Sequence, residues 1–314
     1  MTIKIGVVMD SIQNIHYKKD STLALLWEAK ARGWTIYYFE QQDLFVRDGE
    51  AFGNSRLLNV FQDPKRWFEL SEYQRIALSE LNVILMRKDP PFDLEYIYTT
   101  YILELAEQAG VKIINKPQSL RDANEKFYTA WFPEHCPPTL ITRHIHLLRE
   151  FFHEQKDIIC KPLDTMGGAS IFRLTASDMN ASVVFETLTR QGKGFMLAQR
   201  FIPEIFQGDK RILLINGEPV PYALARIPAT GELRGNLAAG AKGVAQPLTE
   251  QDLKLCKSIG PALREKGLLL VGLDVIGNYV TEINVTSPTC IRELDEQCHL
   301  TISKLLFDVI EDQI

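Results

Sequence analysis

The first 120 residues alternate between short apolar segments and longer segments of helical periodicity, and this alternation constrains the fold more than any other feature. Strands are predicted at Lys4–Met9, Thr35–Phe39, Leu81–Met86 and Val111–Ile114, and helices at Ser21–Arg32 and Leu94–Gln108. Strands that alternate with helices favour an open, mostly parallel sheet. Such sheets bind ligands at the carboxyl ends of their strands, where this chain places Asp10-Ser11 and the segment 87–91. Loops after strands are polar in any protein, so a substrate edge and an ordinary surface both stay open.

Composition narrows the class of protein. The chain has 314 residues, enough for one large domain or two to three smaller ones. The net charge of −5 provides no basic footprint for nucleic acid, and no apolar stretch approaches the length of a membrane span. The first apolar run ends at Asp10 without a small-residue cleavage site, which predicts a strand and not a signal peptide. Five scattered cysteines without a CxxC pair fit reduced thiols and predict a cytoplasmic protein.

Two lysines lie in different sequence contexts, Lys126 in a predicted helix and Lys161 in an apolar strand. The segment Ser119–Asp122 resembles a capping box that opens the helix carrying Lys126, and its last residue is spaced to pair with that lysine. A solvated surface position is therefore predicted for Lys126. Lys161 lies in the apolar strand 158–163 and precedes the loop Gly167-Gly168. A Gly-Gly loop can present backbone N–H groups to phosphate oxygens, although it suits any hairpin as well.

A hairpin around Asn216-Gly217 predicts a cluster of charged side chains. The register of a two-residue turn would give the pairs Arg211–Tyr222, Asp209–Leu224 and Gln207–Arg226. Its parity places Asp209, Arg211 and Arg226 on one face of the sheet. Two arginines beside an acid are typical of a phosphate or carboxylate site, and a solvated antiparallel face is the alternative.

The segment 227–244 is rich in glycine and carries two cations, Arg234 and Lys242. It is long for a structureless connection, and such loops are usually lids or disordered segments. A cationic, glycine-rich lid suits closure over a reactive phosphate from which water must be excluded.

The segment 271–293 carries Asp274, Glu282 and Asn284 on strands that otherwise read as buried. Buried carboxylates are costly unless they are paired or bound to a cation, and Mg²⁺ prefers oxygen ligands. A two-residue turn at Gly277-Asn278 would put Asp274 on the face opposite to Glu282, whereas a three-residue connection or a bulge would bring all three onto one face. A shared metal site therefore predicts an odd-length connection. A hairpin with its acids at a wet edge is the alternative.

Several motifs are absent from the sequence. It has no GxxxxGK[ST] phosphate loop, no GxGxxG after the first strand, no HExxH and no GxSxG. These absences disfavour P-loop, dinucleotide-binding, zinc-protease and serine-hydrolase classes.

Taken in chain order, these features resemble the ATP-grasp superfamily, in which ATP lies between two α+β lobes, and within it the bacterial glutathione synthetases. The resemblance runs over almost the whole length, through VVMD, MRKDPPFD, NKPQSLRDANEK, KPLDTMGGASIFR, GDKRILLINGEPVPYALARIP, RGNLAAGAKG and TEINVTSPTCIRE. It implies an N-terminal open parallel-sheet α/β domain at 1–122. A two-lobed α+β ATP-grasp module would follow, with a central lid subdomain at 123–201 and a C-terminal subdomain at 202–314.

The resemblance also implies roles for the candidate residues. ATP would be bound by Lys126, Lys161, Gly167, Gly168, the hinge Gln199-Arg200-Phe201-Ile202 and Asp209. Mg²⁺, with Mn²⁺ as an alternative ion, would be held by Asp274, Glu282 and Asn284. Arg211, Arg226 and the lid from Arg234 to Gly240 would face the transferred phosphoryl group and the acyl centre. Two departures from the family pattern are Gln199, where many ATP-grasp proteins carry an acid, and Ala241-Lys242, where Gly and Arg are common.

The implied reaction is the ATP-dependent ligation of γ-glutamylcysteine and glycine to glutathione through an acyl phosphate, giving ADP and phosphate. The implied partners are these small molecules, with no nucleic acid and no membrane, and the family suggests a homo-oligomer, expected to be a tetramer. Two alternatives stay open: another ATP-grasp carboxylate–amine ligase, and an ATP-binding protein without ligase activity. The blocks RKDPPFD and TSPTCIRE favour the glutathione synthetases over other ligases. The presence of both glycine loops and all three metal-type residues argues against a degenerate site.

Overall fold

The computed structural model describes residues 2–165, 167–232, 234–235, 237 and 240–314. This part of the chain forms three sheets with helices packed against them. It contains no helix with the length and apolar character needed to cross a bilayer, and its five cysteines are free thiols.

The first sheet combines a parallel centre with an antiparallel extension. Its elements are β1 (Lys4–Met9), α1 (Ser21–Ala31), β2 (Thr35–Phe39), β3 (Leu44–Arg47), β4 (Glu50–Val60), β5 (Phe68–Ala77), β6 (Val83–Arg87), α2 (Leu94–Gln108), β7 (Lys112–Ile114) and α3 (Pro117–Asp122). The strand order is β3-β4-β2-β1-β6-β7, with β5 paired to β4. The predicted parallel arrangement holds for β2, β1, β6 and β7. The long β4–β5 hairpin is an addition that the βαβ rhythm does not predict.

Local signals explain where α1 begins and ends. The Asp20 side chain accepts a hydrogen bond from the Leu23 backbone N–H at 2.6 Å, so it caps the first turn. Gly33 follows the helix with φ +72°, a conformation that costs glycine little. Between these residues the helix buries Leu23, Leu25 and Leu26 completely.

The second sheet is smaller and has a core of its own. Its elements are β8 (Thr139–Thr142), α4 (Ile145–Gln155), β9 (Asp157–Pro162), β10 (Phe172–Thr175), α5 (Ala181–Leu188) and β11 (Met196–Arg200). The strands are antiparallel in the order β10-β9-β11-β8. The two helices cover one face and bury Leu148, Ile158, Phe185 and Met196.

The third sheet is antiparallel and is followed by two helices that return to the first sheet. Its elements are β12 (Asp209–Ile215), β13 (Glu218–Ile227), β14 (Lys242–Pro247), α6 (Glu250–Glu265), β15 (Leu270–Ile276), β16 (Tyr279–Asn284), α7 (Ile291–Cys298) and α8 (Ile302–Glu311). The strand order is β14-β13-β12-β15-β16. Phe307 of α8 packs on Trp34 with ring centroids 4.9 Å apart, next to the end of α1.

Asn115 joins the first and third sheets. Its Nδ2 donates to the carbonyl oxygens of Leu270 (2.8 Å) and Val285 (2.7 Å), and its Oδ1 accepts from the Leu270 N–H at 3.0 Å. The three sheets span residues 4–114, 139–200 and 209–284. The helices α7 and α8 follow the third sheet in the chain but both contact α1 of the first domain, so the domain limits expected from the sequence stay a prediction.

Candidate active site

A cavity of about 1180 Å³ lies where the three sheets approach one another. The loops after β1 and β6 contribute Asp10, Ser11 and Asp89, as expected for a substrate edge at the carboxyl ends of parallel strands. The second sheet contributes Lys161, the segment after α3 contributes Lys126, and the third sheet contributes Arg211, Arg226 and the metal-type residues singled out in the sequence. The size falls slightly above the usual range for small-molecule sites.

Lys126 is buried in this cavity, so its predicted surface position is wrong. The side chain is 5% exposed, its Nζ donates to the Thr165 carbonyl oxygen, and it lies 3.3 Å from Glu282 Oε1. The predicted capping box is also wrong, because α3 begins at Pro117 and Ser119 lies inside it, donating to the Lys266 carbonyl oxygen. Lys126 follows the end of that helix, and the chain turns there toward the third sheet.

Lys161 and Gln199 meet on neighbouring strands of the second sheet. Lys161 Nζ donates to Gln199 Oε1 at 3.3 Å, and Gln199 Nε2 donates to Thr139 Oγ1 at 3.1 Å. Burial lowers the pKa of Lys161, and the charge of Glu282 opposes this shift. No carboxylate among the described residues forms an ion pair with Lys161. A buried ammonium in this state is suited to an incoming anion.

The glycine loop and the predicted hinge also line the cavity. Gly167 and Gly168 have φ values of +69° and +78° and border it. Phe201 and Ile202, directly after β11, are buried and supply an apolar wall. The Arg173 guanidinium stacks 3.6 Å from the Phe201 ring centroid. Met166, next to the glycines, lies outside the described residues.

The predicted arginine face exists, although the predicted pairs are wrong. Asp209 lies opposite Arg226, with Arg226 Nη2 2.5 Å from Asp209 Oδ2, and Arg211 lies opposite Leu224. The register shifts by two residues between Ile212 and Leu214. This is the stretch opposite Pro219 and Pro221, which cannot donate to the ladder. Because the shift is two residues, it keeps the parity, so Asp209, Arg211 and Arg226 share a face.

Asp274 is held by both arginines. Arg211 Nε and Nη2 lie 2.6 and 3.2 Å from its oxygens, and Arg226 Nη2 lies 2.9 Å away. Burial acts to raise the pKa of Asp274, but the two guanidinium groups outweigh it and hold this pKa below its ordinary value. Asp274 is therefore ionised and the cluster is charge-compensated without a ligand.

A bulge brings the three metal-type residues onto one face. The turn at Gly277-Asn278 is a plain two-residue one that pairs Ile276 with Tyr279, so the predicted odd-length connection is wrong. The register then shifts at Thr281, an extra residue in β16, and Asp274 comes to lie opposite Glu282. The other expectation from the sequence, a bulge, is what the structure contains.

The three side chains fit a hard cation. Asn284 lies opposite Gly272 and donates its Nδ2 to that residue's carbonyl oxygen at 3.1 Å, which leaves its amide oxygen as the available donor. Two carboxylates and an amide oxygen that line one cavity are a ligand set suited to Mg²⁺. Within the described ranges, no group of three or more His, Cys, Asp or Glu side chains converges as a metal site, so this candidate set depends on the Asn284 amide oxygen beside its two carboxylates.

Asp209 and the predicted lid, 227–244, border the remaining side of the cavity. Burial raises the pKa of Asp209 to about 6, and its Oδ1 is buried without a hydrogen-bond partner among the described residues. In the lid, Arg234 lines the cavity and pairs with Glu232 at 2.7 Å. Gly240 has φ +92° but is not among the described lining residues. Leu233, Asn236, Ala238 and Ala239 of the predicted lid lie outside the described residues, and the lid is shorter than predicted because β14 begins at Lys242.

Glu125 is a cavity residue that sequence reasoning missed. Its Oε1 accepts hydrogen bonds from the Val285 and Thr286 backbone N–H groups at 2.9 and 3.0 Å and from Thr286 Oγ1 at 2.8 Å. Burial, and then the charge of Glu282, raise its pKa. Glu125 thus ties the segment before Lys126 to the end of β16. Its position directly before Lys126 was the only available signal.

Two family models cover nearly the whole chain. The prokaryotic glutathione synthetase N-terminal domain matches residues 3–121, and the prokaryotic glutathione synthetase ATP-grasp domain matches residues 125–299. Curated glutathione synthetases from Pseudomonas aeruginosa and Pseudomonas syringae pv. tomato are each 58% identical over 314 residues, covering 100% of this chain and 99% and 98% of theirs. The glutathione synthetase of Shewanella oneidensis is 58% identical over 99% of both chains.

Solved structures of more distant proteins share the fold. The D-cycloserine synthetase DcsG superposes with a TM-score of 0.68 at 14% identity, covering 98% of this chain and 99% of that one. The ATP-grasp ligase PsnB, complexed with its minimal precursor, gives a TM-score of 0.65 at 19% identity and covers 100% of both chains. At these identities the likeness shows a shared fold alone. The two family models and the relatives at 58% identity, in contrast, match this chain along nearly its full length. The chain belongs to the prokaryotic glutathione synthetase family of ATP-grasp ligases.

Proposed function

We propose that this chain joins γ-glutamylcysteine to glycine, using ATP and releasing glutathione, ADP and phosphate. The observation that carries the proposal is the composition of one cavity. It gathers Lys126 and Lys161, the arginine face and an acid–acid–amide set at the junction of three sheets. Cations that can bind phosphates lie beside oxygen ligands that can bind the cation of a nucleotide, as a phosphoryl-transfer ligase requires.

An amine cannot attack a free carboxylate productively, because the leaving group would be oxide. The carboxylate therefore has to be activated first. The cysteinyl carboxylate of γ-glutamylcysteine attacks the γ-phosphorus of ATP, and ADP leaves. The resulting acyl phosphate has phosphate as its leaving group. The glycine amine, after losing a proton, attacks the acyl carbon, the C–N bond forms, and phosphate departs with one oxygen of the original carboxylate.

Lys126, Lys161 and the Gly167-Gly168 loop are proposed to hold the phosphates of ATP. The strand end from Gln199 to Ile202 would hold the adenine, with the Phe201 and Ile202 side chains supplying apolar contact. Asp209 would lie on the ribose and phosphate side. The burial of Lys161 without a carboxylate in ion-pair contact supports the first of these roles.

Asp274, Glu282 and Asn284 are proposed to hold Mg²⁺, which Mn²⁺ could replace. Such an ion would neutralise charge on the β- and γ-phosphate oxygens during transfer. The fit rests on three oxygen donors brought to one face by the bulge at Thr281.

Arg211 and Arg226 are proposed to stabilise charge on the transferred phosphoryl group and the acyl centre. Neighbouring carboxylates raise the pKa of both guanidinium groups despite burial, so both stay charged through the reaction. Fixed cations in a buried site stabilise developing charge without reorganising. Arg234 and Gly240 of the lid would close over the intermediate and exclude water. We also propose that the chain assembles as a homotetramer and acts in the cytoplasm.

The proposed function is tested by ADP release. The purified chain is assayed with ATP and Mg²⁺ plus γ-glutamylcysteine and glycine together, each alone, and glycine replaced by alanine or serine. Release is expected to require both substrates and to yield glutathione as the product. A lack of stimulation by that pair contradicts the assignment.

A further inference from the structure

The strand β16 carries two of the three proposed metal ligands, Glu282 and Asn284, and lies at the edge of its sheet. Among the described strands it has one neighbour, β15. The outer side of an edge strand has a row of N–H and C=O groups that no strand pairs. Ligands that hold a cation need a rigid support. An edge strand supplies that support only if something else holds its outer side.

Glu125 takes the place of a neighbouring strand at the outer edge of β16. Its backbone carbonyl oxygen accepts a hydrogen bond from the Ile283 N–H at 2.8 Å, and its Oε1 accepts one from the Val285 N–H at 2.9 Å. The same Oε1 accepts from the Thr286 N–H at 3.0 Å and from Thr286 Oγ1 at 2.8 Å. A single residue thus partners three backbone N–H groups at the end of β16.

These hydrogen bonds hold the strand at the position of its ligands. N–H groups alternate in direction along an antiparallel strand. Because the N–H groups of Ile283 and Val285 point outward to Glu125, those of Glu282 and Asn284 are left for β15. The part of β16 that carries the two ligands is therefore held on both sides.

The segment 115–126 supports the end of β16 at a second point. The Val285 carbonyl oxygen accepts a hydrogen bond from Asn115 Nδ2 at 2.7 Å, while the N–H of the same residue donates to Glu125. Asn115 is 3% exposed and also binds both backbone groups of Leu270. The residue that follows the ligands is thus fixed through its N–H and its C=O.

The residues on either side of Glu125 contact the loop after β9. Asn124 Nδ2 donates to the Leu163 carbonyl oxygen at 3.0 Å, and Lys126 Nζ donates to the Thr165 carbonyl oxygen. The same ammonium lies 3.3 Å from a carboxylate oxygen of the ligand strand. A shift of Glu125 would therefore move the buried lysine relative to the metal-type residues.

We propose that Glu125 is a positioning residue for the cation site. It closes the outer edge of β16 and sets the relation between Lys126 and Glu282, so that the phosphates and the cation of a bound nucleotide meet a preformed site. This inference rests on the proposed function, since it concerns the same nucleotide site. Groups that orient metal ligands commonly affect metal affinity by about 10–100-fold.

A direct contact between Glu125 and the cation is the competing interpretation, because this residue borders the cavity. Its Oε1 is occupied by three donors, so a direct contact would fall to the other oxygen. The two interpretations depend on different properties of the side chain. A positioning role requires its reach to the edge of β16, whereas a direct role requires its charge.

Two conservative variants separate reach from charge. Glu125→Asp keeps the charge but shortens the side chain, so its carboxylate no longer meets the N–H groups of Val285 and Thr286 in the same geometry. Glu125→Gln keeps the length and an acceptor oxygen but removes the charge. The matched controls are Glu154→Asp and Glu154→Gln, at an exposed position of α4 outside the cavity lining.

Hydrogen–deuterium exchange of the ligand-free chain reports on the strand edge itself, in peptides that cover 279–287. The central strand β1 of the first sheet is the internal reference. Glu125→Asp should speed exchange of the amides at 285–286 by about tenfold, because their hydrogen bonds to the side chain are lost. Glu125→Gln and both controls should exchange as the wild type does.

Equilibrium binding of Mn²⁺ in the presence of ADP, measured by electron paramagnetic resonance, reports on the cation site. Glu125→Asp should weaken it by about tenfold or more, and turnover should fall with it. Glu125→Gln should keep both near the wild-type values. The control variants should bind Mn²⁺ and turn over as the wild type does.

Unchanged exchange in Glu125→Asp would overturn the inference. Faster exchange with unchanged Mn²⁺ binding would also overturn it, since Glu125 would then support the fold alone. Weak Mn²⁺ binding in Glu125→Gln with normal exchange would show that the charge acts directly at the cation. Exchange that rises throughout the chain, β1 included, would contradict a local role.

Failure of the proposed function gives a different result. If the wild-type chain does not release ADP with γ-glutamylcysteine and glycine, the proposed function fails. If the wild type turns over normally but Glu125→Asp changes neither exchange nor Mn²⁺ binding, only the positioning role of Glu125 fails.

Discussion

Asp274 lies directly opposite Glu282 on adjacent antiparallel strands, and the bulge at Thr281 is the reason. Without the extra residue, Asp274 would face Thr281 and the two acids would point to opposite sides of the sheet. A single inserted residue thus decides whether two carboxylates share the cavity. Bulges commonly redirect side chains next to active sites in this way.

Glu282→Gln is expected to lower turnover by about 10²-fold or more, since the variant keeps the shape but loses a charged metal ligand. The apparent Mg²⁺ requirement should rise at the same time, which a titration of activity against Mg²⁺ would detect. Glu265→Gln, near the end of α6 and outside the cavity lining, serves as the control. Full activity with an unchanged Mg²⁺ dependence would remove Glu282 from the ligand set.

Arg211→Met is expected to reduce both turnover and stability. Turnover should fall by about 10²–10³-fold because a fixed cation is lost from the reaction centre. Stability should fall by about 3–5 kcal/mol at most, because Asp274 loses one of its two buried partners. Denaturant unfolding and steady-state kinetics measure the two effects separately.

The double variant Arg211→Met, Asp274→Asn separates these roles. Replacing the carboxylate removes the uncompensated charge, so much of the lost stability should return. Turnover should stay low, since both the cation and the metal ligand are then missing. Recovery of turnover in the double variant would show that Arg211 acts only by neutralising Asp274.

We expect the free energy of unfolding of the ligand-free protein to depend on pH through Asp209. Its pKa is raised to about 6 by burial, above the ordinary value of 3.8. A carboxyl group with a raised pKa stabilises the fold fully below pH 3.8, and this contribution is lost as pH rises through about 6. The free energy of unfolding of the wild type should therefore fall more steeply between pH 4 and 6 than that of Asp209→Asn. Identical slopes for the two proteins would contradict the prediction. Comparing slopes also removes the contribution of Asp295, whose pKa is likewise raised to about 6.

Lys161→Met should weaken ATP binding without destabilising the ligand-free protein. The buried ammonium lacks a carboxylate in ion-pair contact among the described residues, so its removal relieves a desolvation cost. Thermal melting with and without ATP gives the result directly, because a ligand raises the melting temperature according to its affinity. The exposed Lys193→Met is the control. A melting point that drops without ATP and an unchanged ATP-induced shift would show a structural role.

Local patterns in the sequence predicted much of the fold. The limits of β1, β2 and α2 agree with the structure, and α1 ends one residue before the predicted limit, because apolar runs and the Gly33 terminator of α1 are local signals. The β4–β5 hairpin was not predicted, since the first buried positions of β4 are the small residues Ala51, Gly53 and Ser55 and β5 has no buried residue. The predicted register of β12 against β13 was wrong by two residues beyond Leu214. The shift lies opposite Pro219 and Pro221, and the geometry of the Asn216-Gly217 turn does not predict it.

In the candidate site, too, features set by local patterns were predicted and features set by distant contacts were not. Parity alone placed Asp209, Arg211 and Arg226 on one face, since a shift of two residues preserves it. The burial of Lys126 could not be read from neighbouring residues, because the Thr165 and Glu282 contacts come from distant parts of the chain. Glu125 was missed for the same reason, as its partners Val285 and Thr286 are 160 and 161 residues away in sequence.

The central claim is that a substrate carboxylate is activated as an acyl phosphate in this cavity, and an oxygen-transfer experiment tests it most directly. γ-Glutamylcysteine labelled with ¹⁸O in its cysteinyl carboxylate is turned over with ATP and glycine, and the released phosphate is examined by mass spectrometry. The account predicts one labelled oxygen in each phosphate formed. Release of unlabelled phosphate alongside glutathione would contradict it.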